Sequence, residues 1–542
     1  MFSSSIWGYE GLKYCSRRCA VVVIGWGAIR IVNLSSPAKN ASRLRELLKG
    51  LHNIPDFDRH DVEVNGIQID SRIISKGDLF IACRGRNWDA RDFVAKAIDA
   101  GARAVCVDAD DDWHDVQIVG EVPVVAINNL SENVSLIAGR FYDHPSDDLC
   151  LIGITGTNGK TSCCQFVAQI FEGLGLSAGT IGTLGFSMGS GDQCFPVPGN
   201  LTTPDSVHIQ KGLRILRNFG ARVVLIEMSS IGLDQHRGAA LNFNSAVFTN
   251  LTRDHLDYHE NIQDYAKCKK SLFLIDSLES AVVNLDDPFS REIIEELNQD
   301  IKLWTYSKKN PKASIYADEI ILREEGYYMQ LHTPIGSMEI EGSLLGSFNI
   351  SNVLASIATV FSTGLSNATQ LTDFCTCVQN LRPVDGRMQL IDVATDVTVL
   401  VDYAHTPDGL RAALNGVQPH ASAEIWCVFG CGGERDVGKR SRMGRIVEDY
   451  SCTAVVTDDN PRAEDGDKII KDILKGFKDP QNVKIIRDRA KAISYAINSA
   501  KPKALILIAG KGHENYQEKN GIRTMFNDVD CARHELLKRK EK

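Results

Sequence analysis

Acidic residues are nearly missing from the start of this chain. Glu10 is the only one before Glu46, whereas Lys13, Arg17, Arg18, Arg30, Lys39 and Arg43 are basic. A long apolar run is missing too: residues 19–32 are interrupted by Arg30 and are too short to span a bilayer. Serines with few acids fit an organelle transit segment, and they also fit a vestigial or mis-started extension. We therefore expect residues 1–44 to be a poorly ordered extension of unknown role. There is no basic excess either. The net charge of −9 excludes bulk electrostatic binding to nucleic acid, so anionic ligands must be held by local basic clusters. The 15 cysteines are odd in number and scattered, and Cys163-Cys164 and Cys375-x-Cys377 lack second halves at metal spacing. They read as reduced thiols rather than disulfides or zinc ligands. Internal repeats and low-complexity segments are absent as well.

What is present begins with Ile152-Gly-Ile-Thr-Gly-Thr-Asn-Gly-Lys-Thr161. An apolar run enters a turn containing Gly156, Thr157, Asn158 and Gly159, and Lys160 and Thr161 open an apolar helical segment. This is the strand–loop–helix layout of a nucleotide-triphosphate loop. Glycines let the backbone approach phosphates, and free N–H groups at the helix start face the anion. Lys160 would reach the outer phosphates, and the Thr161 hydroxyl would ligate magnesium. Ile154 stands where the strict pattern has its first glycine.

A chain of 542 residues exceeds one core, and its pattern divides into three parts after the extension. Residues 45–148 alternate short strands and helices, a small α/β unit. Residues 149–381 begin with the phosphate loop and continue with strands near 223–226, 246–249 and 281–284, which implies a mostly parallel sheet. Between 301 and 341 the pattern changes to alternating strands with turns at Gly326 and Gly336, an antiparallel β insertion. Residues 382–542 place strands near 397–401, 425–429, 454–457 and 504–508, a second doubly wound sheet of Rossmann type. The fold class is thus α/β throughout.

Ligands of open parallel sheets sit beyond the carboxyl ends of strands. One such end carries Glu227-Met-Ser-Ser230 and then Gln235-His-Arg237; another carries Thr249-Asn-Leu-Thr-Arg-Asp-His255. A carboxylate and an imidazole beside a phosphate loop can ligate magnesium. Taken singly, Glu227 can equally pair with Arg237, and His255 can cap a helix.

The runs Thr155-Gly-Thr-Asn-Gly-Lys-Thr161, Asn250-Leu-Thr-Arg-Asp-His-Leu-Asp257, Asp402-Tyr-Ala-His-Thr-Pro407 and Gly510-Lys-Gly-His-Glu514 resemble those of the Mur ligases, the ATP-dependent amide ligases of peptidoglycan synthesis. The resemblance covers about residues 45–540, in order. Asp70-Ser-Arg72, Thr202-Thr-Pro204, Val428-Phe-Gly-Cys-Gly-Gly-Glu-Arg-Asp436 and Asp459-Asn-Pro-Arg462 resemble in particular the members that add diaminopimelate as third residue of the stem peptide. The resemblance implies a monomeric cytoplasmic enzyme with ATP and Mg2+, or an organelle enzyme if residues 1–44 are a transit segment. Its substrates would be UDP-MurNAc-L-Ala-D-Glu and meso-diaminopimelate, with no nucleic-acid or membrane partner. ATP would phosphorylate the glutamyl carboxylate, and the incoming amine would displace phosphate.

Carried onto this sequence, the resemblance implies a role for each motif residue. Lys160, Lys269, His255, Arg387 and Asp402 would be catalytic. Thr161, Glu227, His255 and Lys269, the last as N6-carboxylysine, would hold magnesium. Gly156 to Thr161, Asn349, Asn352, Arg387 and His405 would hold the nucleotide. Ser71 would contact uridine, and Thr202, Thr203, Ser229, Gln235 and Arg237 the muramoyl-dipeptide. Arg435, Asp459, Asn460, Pro461, Arg462, Gly510 and Glu514 would read diaminopimelate, the two arginines meeting its far carboxylate and Glu514 its ammonium. From the residues alone Lys269 is one of three neighbouring lysines, with Lys267 and Lys270. Leu201 and Ile231 depart from the asparagine and histidine of some relatives. The rival readings are a ligase of the same superfamily with lysine or polyglutamate as acceptor, and a member that has lost catalysis and serves as an architectural subunit.

Overall fold

The computed structural model describes residues 41–52, 60–85, 88–189, 201–255, 258–365, 371–450 and 452–541 in full, and the backbone of 20–25, 28–33 and 193–195. Two compact units form, Met1–His144 and Pro145–Lys542. In the expected extension, Ala20–Gly25 and Ala28–Asn33 pair as an antiparallel hairpin. The rest of residues 1–40 lies outside the described residues.

The first unit holds a five-stranded sheet in the order Gly66–Gln68, Asp78–Ala82, Ala104–Asp108, Val122–Ile127, Val116–Val119, parallel except for the last pair. Phe80, Val105, Val107 and Val124 form its core with Val94 and Ala97 of the helix Val94–Asp99.

The second unit is built on an eleven-stranded sheet. Its parallel part runs Ala178–Gly182, Val223–Glu227, Cys150–Thr155, Ser245–Phe248, Ser280–Asn284, Lys302–Ser307, Ile315–Arg323. These strands read as continuous apolar runs because both faces are covered. Ile152, Val223 and Leu225 pack under the helices Lys160–Gly173 and Ser347–Ser362, whereas Leu151, Val224 and Ile226 pack against Ser206–Asn218. The antiparallel strands foreseen between 301 and 341 are there, with turns at Gly326 and Gly336. They do not make a separate layer: Ile315–Arg323 pairs in parallel with Lys302–Ser307, so they prolong the central sheet.

The last part carries a six-stranded sheet in the order Gln389–Leu390, Thr398–Asp402, Leu505–Ala509, Ile425–Phe429, Thr453–Val456, Lys484–Ile485. All neighbours are parallel except the first pair. Leu505 and Leu507 face one helical layer and Ile506 and Ile508 the other, the doubly wound arrangement. Among the described residues no helix is long and apolar enough to cross a membrane, and the described cysteines are free thiols.

Candidate functional site

The phosphate loop joins strand Cys150–Thr155 to helix Lys160–Gly173. Gly156 has φ 145°, and a Cβ there would lie 1.8 Å from the Thr249 hydroxyl, so only glycine fits this approach. The next strand end shapes the loop. Asn250 accepts from the Asn158 N–H at 2.9 Å and donates to the Asn158 carbonyl at 3.0 Å, and its own carbonyl takes the Thr157 N–H at 2.8 Å. The Thr157 hydroxyl meets Tyr265 at 3.0 Å. Thr249, Asn250 and Tyr265 were not singled out from sequence. The first two sit in a quoted run, and Tyr265 is four residues before Lys269 on one helix face.

Two lysines converge on this loop. Lys160 Nζ donates to the carbonyls of Gly156 at 2.7 Å and Thr157 at 2.9 Å. Lys269 Nζ donates to the same Gly156 carbonyl at 2.8 Å and lies 4.3 Å from the Tyr265 ring centre. Lys269 is 1% exposed, while Lys267 is exposed and Lys270 pairs with Glu296. Helical geometry on Ile262–Lys270 therefore turns Lys269 alone of the three toward the loop. Burial, and then the charge of Lys160, pull its pKa well below the usual lysine range.

The Thr161 hydroxyl donates to Glu227 at 2.8 Å, and the Thr183 N–H donates to the other oxygen at 2.9 Å. Glu227 is buried at the end of its strand, so a hydroxyl and a carboxylate oxygen adjoin beside the loop, donor types that suit magnesium. His255 is exposed on its loop at φ 51°, with Nε2 3.7 Å from Asp254 and its ring 6.3 Å from that of Tyr265. Among the described residues no group of three or more His, Cys, Asp and Glu side chains converges as a metal cage. Asn349 and Asn352 are buried and joined at 3.0 Å; a Cβ on Gly159 would stand 2.5 Å from the Asn352 side chain.

The last part reaches this site through Arg387, whose guanidinium lies 3.5 Å from the Thr161 hydroxyl and 4.4 Å from the Tyr403 ring centre. Among the described residues the Asp402 side chain takes no hydrogen bond from the phosphate loop. Its carboxylate accepts the N–H groups of Met388 at 2.7 Å and Ala404 at 2.8 Å, pinning the turn that carries Arg387. Asp402 is thus a positioning residue here. His405 is exposed, with Nδ1 2.8 Å from the Tyr403 carbonyl, and the His405 carbonyl accepts from Lys439 Nζ at 2.9 Å.

Thr203, Ser229, Gln235 and Arg237 form one cluster. Thr203 donates to Ser229 at 2.9 Å and takes the Ser229 N–H at 2.8 Å; Arg237 donates to the Thr203 carbonyl and, at 2.6 Å, to Gln235. Thr202 adjoins them through Thr183 at 3.2 Å, while Leu201 is exposed. In the first unit, Ser71 opens a short 3-10 turn capped by Asp70, which holds Arg72 at 2.7 Å.

The loop Asp459-Asn-Pro-Arg462 follows strand Thr453–Val456. Arg462 adopts φ 53° and donates to the Gly433 carbonyl at 2.8 Å; a Cβ on Gly432 would meet both its Nη1 at 3.0 Å and the exposed Arg435 at 3.7 Å. The Pro461 carbonyl takes the Glu464 N–H at 3.1 Å. Asn460 donates to Glu514 at 2.8 Å. Gly510 packs against Asp459, and the fully buried Arg489–Asp528 pair at 2.7 Å anchors the strand just before it. A cavity of about 560 Å³ lies between the two sheets, lined by Thr183, Leu201, Asp385, His513 and Glu514 among others.

One imidazole ties the parts of this unit together. His420 Nδ1 faces the Arg323 carbonyl and Nε2 accepts the Gly346 N–H at 2.9 Å, so the ring is neutral. Burial lowers its pKa, and burial with the charges of Arg387, His405 and Lys511 brings His513 to about 4. Both folded values lie below the ordinary 6.5, so the unfolded chain binds more protons below that pH. The stability these groups contribute is complete above pH 6.5 and is lost as pH falls toward the folded values. The thermal midpoint is expected to drop by at least about 2 °C between pH 7.5 and 5.5, and to drop less in His420→Gln. Equal drops would remove His420 from the effect.

Three family models match in succession: the Mur ligase family catalytic domain over residues 63–142, the Mur ligase middle domain over 154–360, and the Mur ligase glutamate ligase domain over 386–512. A Pseudomonas aeruginosa protein named UDP-N-acetylmuramoyl-L-alanyl-D-glutamate–2,6-diaminopimelate ligase is 43% identical over 481 residues, 88% of this chain and 96% of its own. A Haemophilus influenzae protein of the same name is 40% identical over 495 residues, 90% and 98% of the two chains. A solved structure of that name superposes with a TM-score of 0.64 at 31% identity, covering 92% of this chain and 99% of its own. The Mycobacterium tuberculosis folylpolyglutamate synthase solved with ADP and AMPPCP shares the fold at a TM-score of 0.56 and 19% identity, over 69% of this chain and 91% of its own. With identity of this order over nearly its whole length, the chain belongs to the Mur ligase family.

Proposed function

We propose that this chain is an ATP-dependent acid–amino-acid ligase that joins meso-diaminopimelate to UDP-MurNAc-L-Ala-D-Glu in peptidoglycan precursor synthesis. The observation that carries the chemistry is the meeting of Lys160 and Lys269 on the Gly156 carbonyl, with Arg387 arriving at Thr161 from the last part of the chain. The substrates follow from the relatives' shared name and from the Asp459–Arg462 loop. We divide the chain at 45–148 for the UDP-substrate domain, 149–381 for the ATP domain and 382–542 for the amino-acid domain, with residues 1–44 as an extension. The enzyme acts as a monomer in the cytoplasm, or in an organelle if residues 1–44 are a transit segment.

Phosphoryl transfer to the glutamyl carboxylate spreads charge over three equatorial oxygens. Lys160 and Arg387 supply fixed cations there, and loop N–H groups orient the phosphates. Thr161 and Glu227, with His255 and Lys269 as its carbamate, would hold magnesium, which when bound would supply positive charge against the phosphates. Asn349 and Asn352, buried beside Gly159, would meet the nucleotide base. Thr202, Thr203, Ser229, Gln235 and Arg237 hold the dipeptide so that its carboxylate meets the phosphoryl group, and Ser71 holds the uridine end. The neutral diaminopimelate amine then attacks the acyl carbon, phosphate leaves with the acyl C–O bonding electrons, and the nitrogen gives up one proton to solvent as the amide bond forms. The test is phosphate release by the purified protein with the UDP-muramoyl-dipeptide and a panel of amino acids.

The far carboxylate of diaminopimelate faces Arg435 and Arg462. Lysine lacks that group and would leave Arg462 without its partner. Diaminopimelate is expected to exceed L-lysine by at least about a hundredfold in kcat/KM, roughly 3 kcal/mol. Arg462→Ala should erase most of that preference. Equal use of lysine by the wild type would overturn the acceptor assignment.

A further inference from the structure

Lys511 lies inside the Gly510-Lys-Gly-His-Glu514 run and has no part in the reading given above. It is fully buried, an unusual place for an ammonium. Two glycines with positive φ, Gly510 at 118° and Gly512 at 52°, flank it. Side chains there would strike Asp459 at 2.6 Å and the Gly386 carbonyl at 2.7 Å. The backbone therefore packs tightly on both sides of Lys511 and sends its side chain inward. Nζ donates to Glu514 Oε2 at 2.8 Å and to Asn460 Oδ1 at 3.0 Å, and lies 5.4 Å from the Tyr516 ring centre.

These contacts have a directional consequence for Glu514. Its Oε2 takes two donors, Lys511 Nζ and Asn460 Nδ2, while among the described residues Oε1 takes none. Asn460 Oδ1 is in turn shared between Lys511 and the Glu518 N–H at 2.9 Å, so the amide cannot flip without losing partners. Arg462, two residues on, is held by the antiparallel hairpin Tyr516–Lys519 and Ile522–Met525 that carries Glu518: its N–H donates to the Glu518 carbonyl at 3.0 Å, and its carbonyl takes the Asn520 N–H at 2.7 Å. Glu514 meanwhile lines the cavity between the two sheets.

We propose that Lys511 is a specificity-positioning residue: it locks Glu514 Oε2 and Asn460 so that Oε1 is presented to the far ammonium of the acceptor, at a fixed offset from Arg462. This rests on the acceptor reading given under Proposed function. It predicts recognition of an ammonium and a carboxylate as one rigid pair, with Lys511 governing the ammonium half.

The probe is 2-aminopimelate, which keeps both carboxylates and the reacting amine but lacks the far ammonium. Wild type is expected to prefer meso-diaminopimelate over it by at least about thirtyfold in kcat/KM, a charged contact's worth. Lys511→Met should cut that ratio at least tenfold, through KM for the acceptor, with KM for ATP unchanged. Lys511→Arg keeps the buried charge, and with it the fold, but places its donors differently; it should cut the ratio about threefold. Folded variants that keep the wild-type ratio would overturn the role of Lys511 alone. A wild type indifferent to the missing ammonium would overturn both this role and the acceptor reading beneath it.

Discussion

Replacing Lys269 by alanine is expected to lower ligation at least about a thousandfold, roughly 4 kcal/mol of transition-state stabilisation. Lys267→Ala and Lys270→Ala should stay within a few-fold of wild type. The argument starts from burial. An ammonium on Lys269 would share one carbonyl with the Lys160 ammonium, in a site walled by Tyr265. Burial and the neighbouring charge both favour the neutral amine. A neutral amine is the form that adds carbon dioxide, giving a carbamate and releasing a proton. The product is an anion facing Lys160, which reverses the repulsion into attraction. Lys269→Ala loses that anion, but Lys160 keeps the carbonyls of Gly156 and Thr157 as partners, so the fold should survive. A short-chain carboxylic acid in the assay should restore part of the activity by occupying the same place. Benign effects at all three lysines would end the carbamate reading; a large loss at Lys267 or Lys270 instead would show that the wrong lysine was chosen.

Lys160→Ala is expected to abolish turnover, by at least about a thousandfold, while the thermal midpoint changes little. Among the described residues Lys160 hydrogen-bonds the loop carbonyls of Gly156 and Thr157 alone, contacts that water can replace. Its charge matters when phosphoryl oxygens become more negative, so the loss should fall on kcat more than on KM. Ligation within tenfold of wild type would remove Lys160 from the mechanism.

The strands that carry the site were legible because buried parallel strands are continuous apolar runs with polar residues just beyond them. The observed strands at 223–227, 280–284 and 425–429 differ from the expected ones by a residue or less at either end. The choice among Lys267, Lys269 and Lys270 was not legible from the residues, since it depends on which helix face meets the phosphate loop. The joining of the 315–342 strands to the parallel sheet was hidden for a similar reason. Alternation reveals a strand, but its neighbour is set by pairings far apart in the chain. Asp402 ends a strand as a catalytic carboxylate would, yet its two oxygens go to backbone N–H groups, which no side-chain motif encodes. Lys511 stood in plain sight within a motif, but an isolated lysine gives no sign of being buried.

The place of strand Cys150–Thr155 in its sheet also matters while the chain is being made. It is the first strand of its sheet in sequence, but its neighbours are Val223–Glu227 and Ser245–Phe248. At roughly 5–20 residues per second, translation takes several seconds to more than ten to supply both. Until residue 227 is made this β-rich apolar segment has two open edges, and until residue 248 it has one, the condition that invites pairing with other chains. The phosphate loop is thus among the earliest segments of its domain to be synthesised, yet its strand is secured only when residues 223–248 follow. A truncation ending between residues 156 and 248 should yield insoluble protein rather than a partly folded ATP-binding fragment.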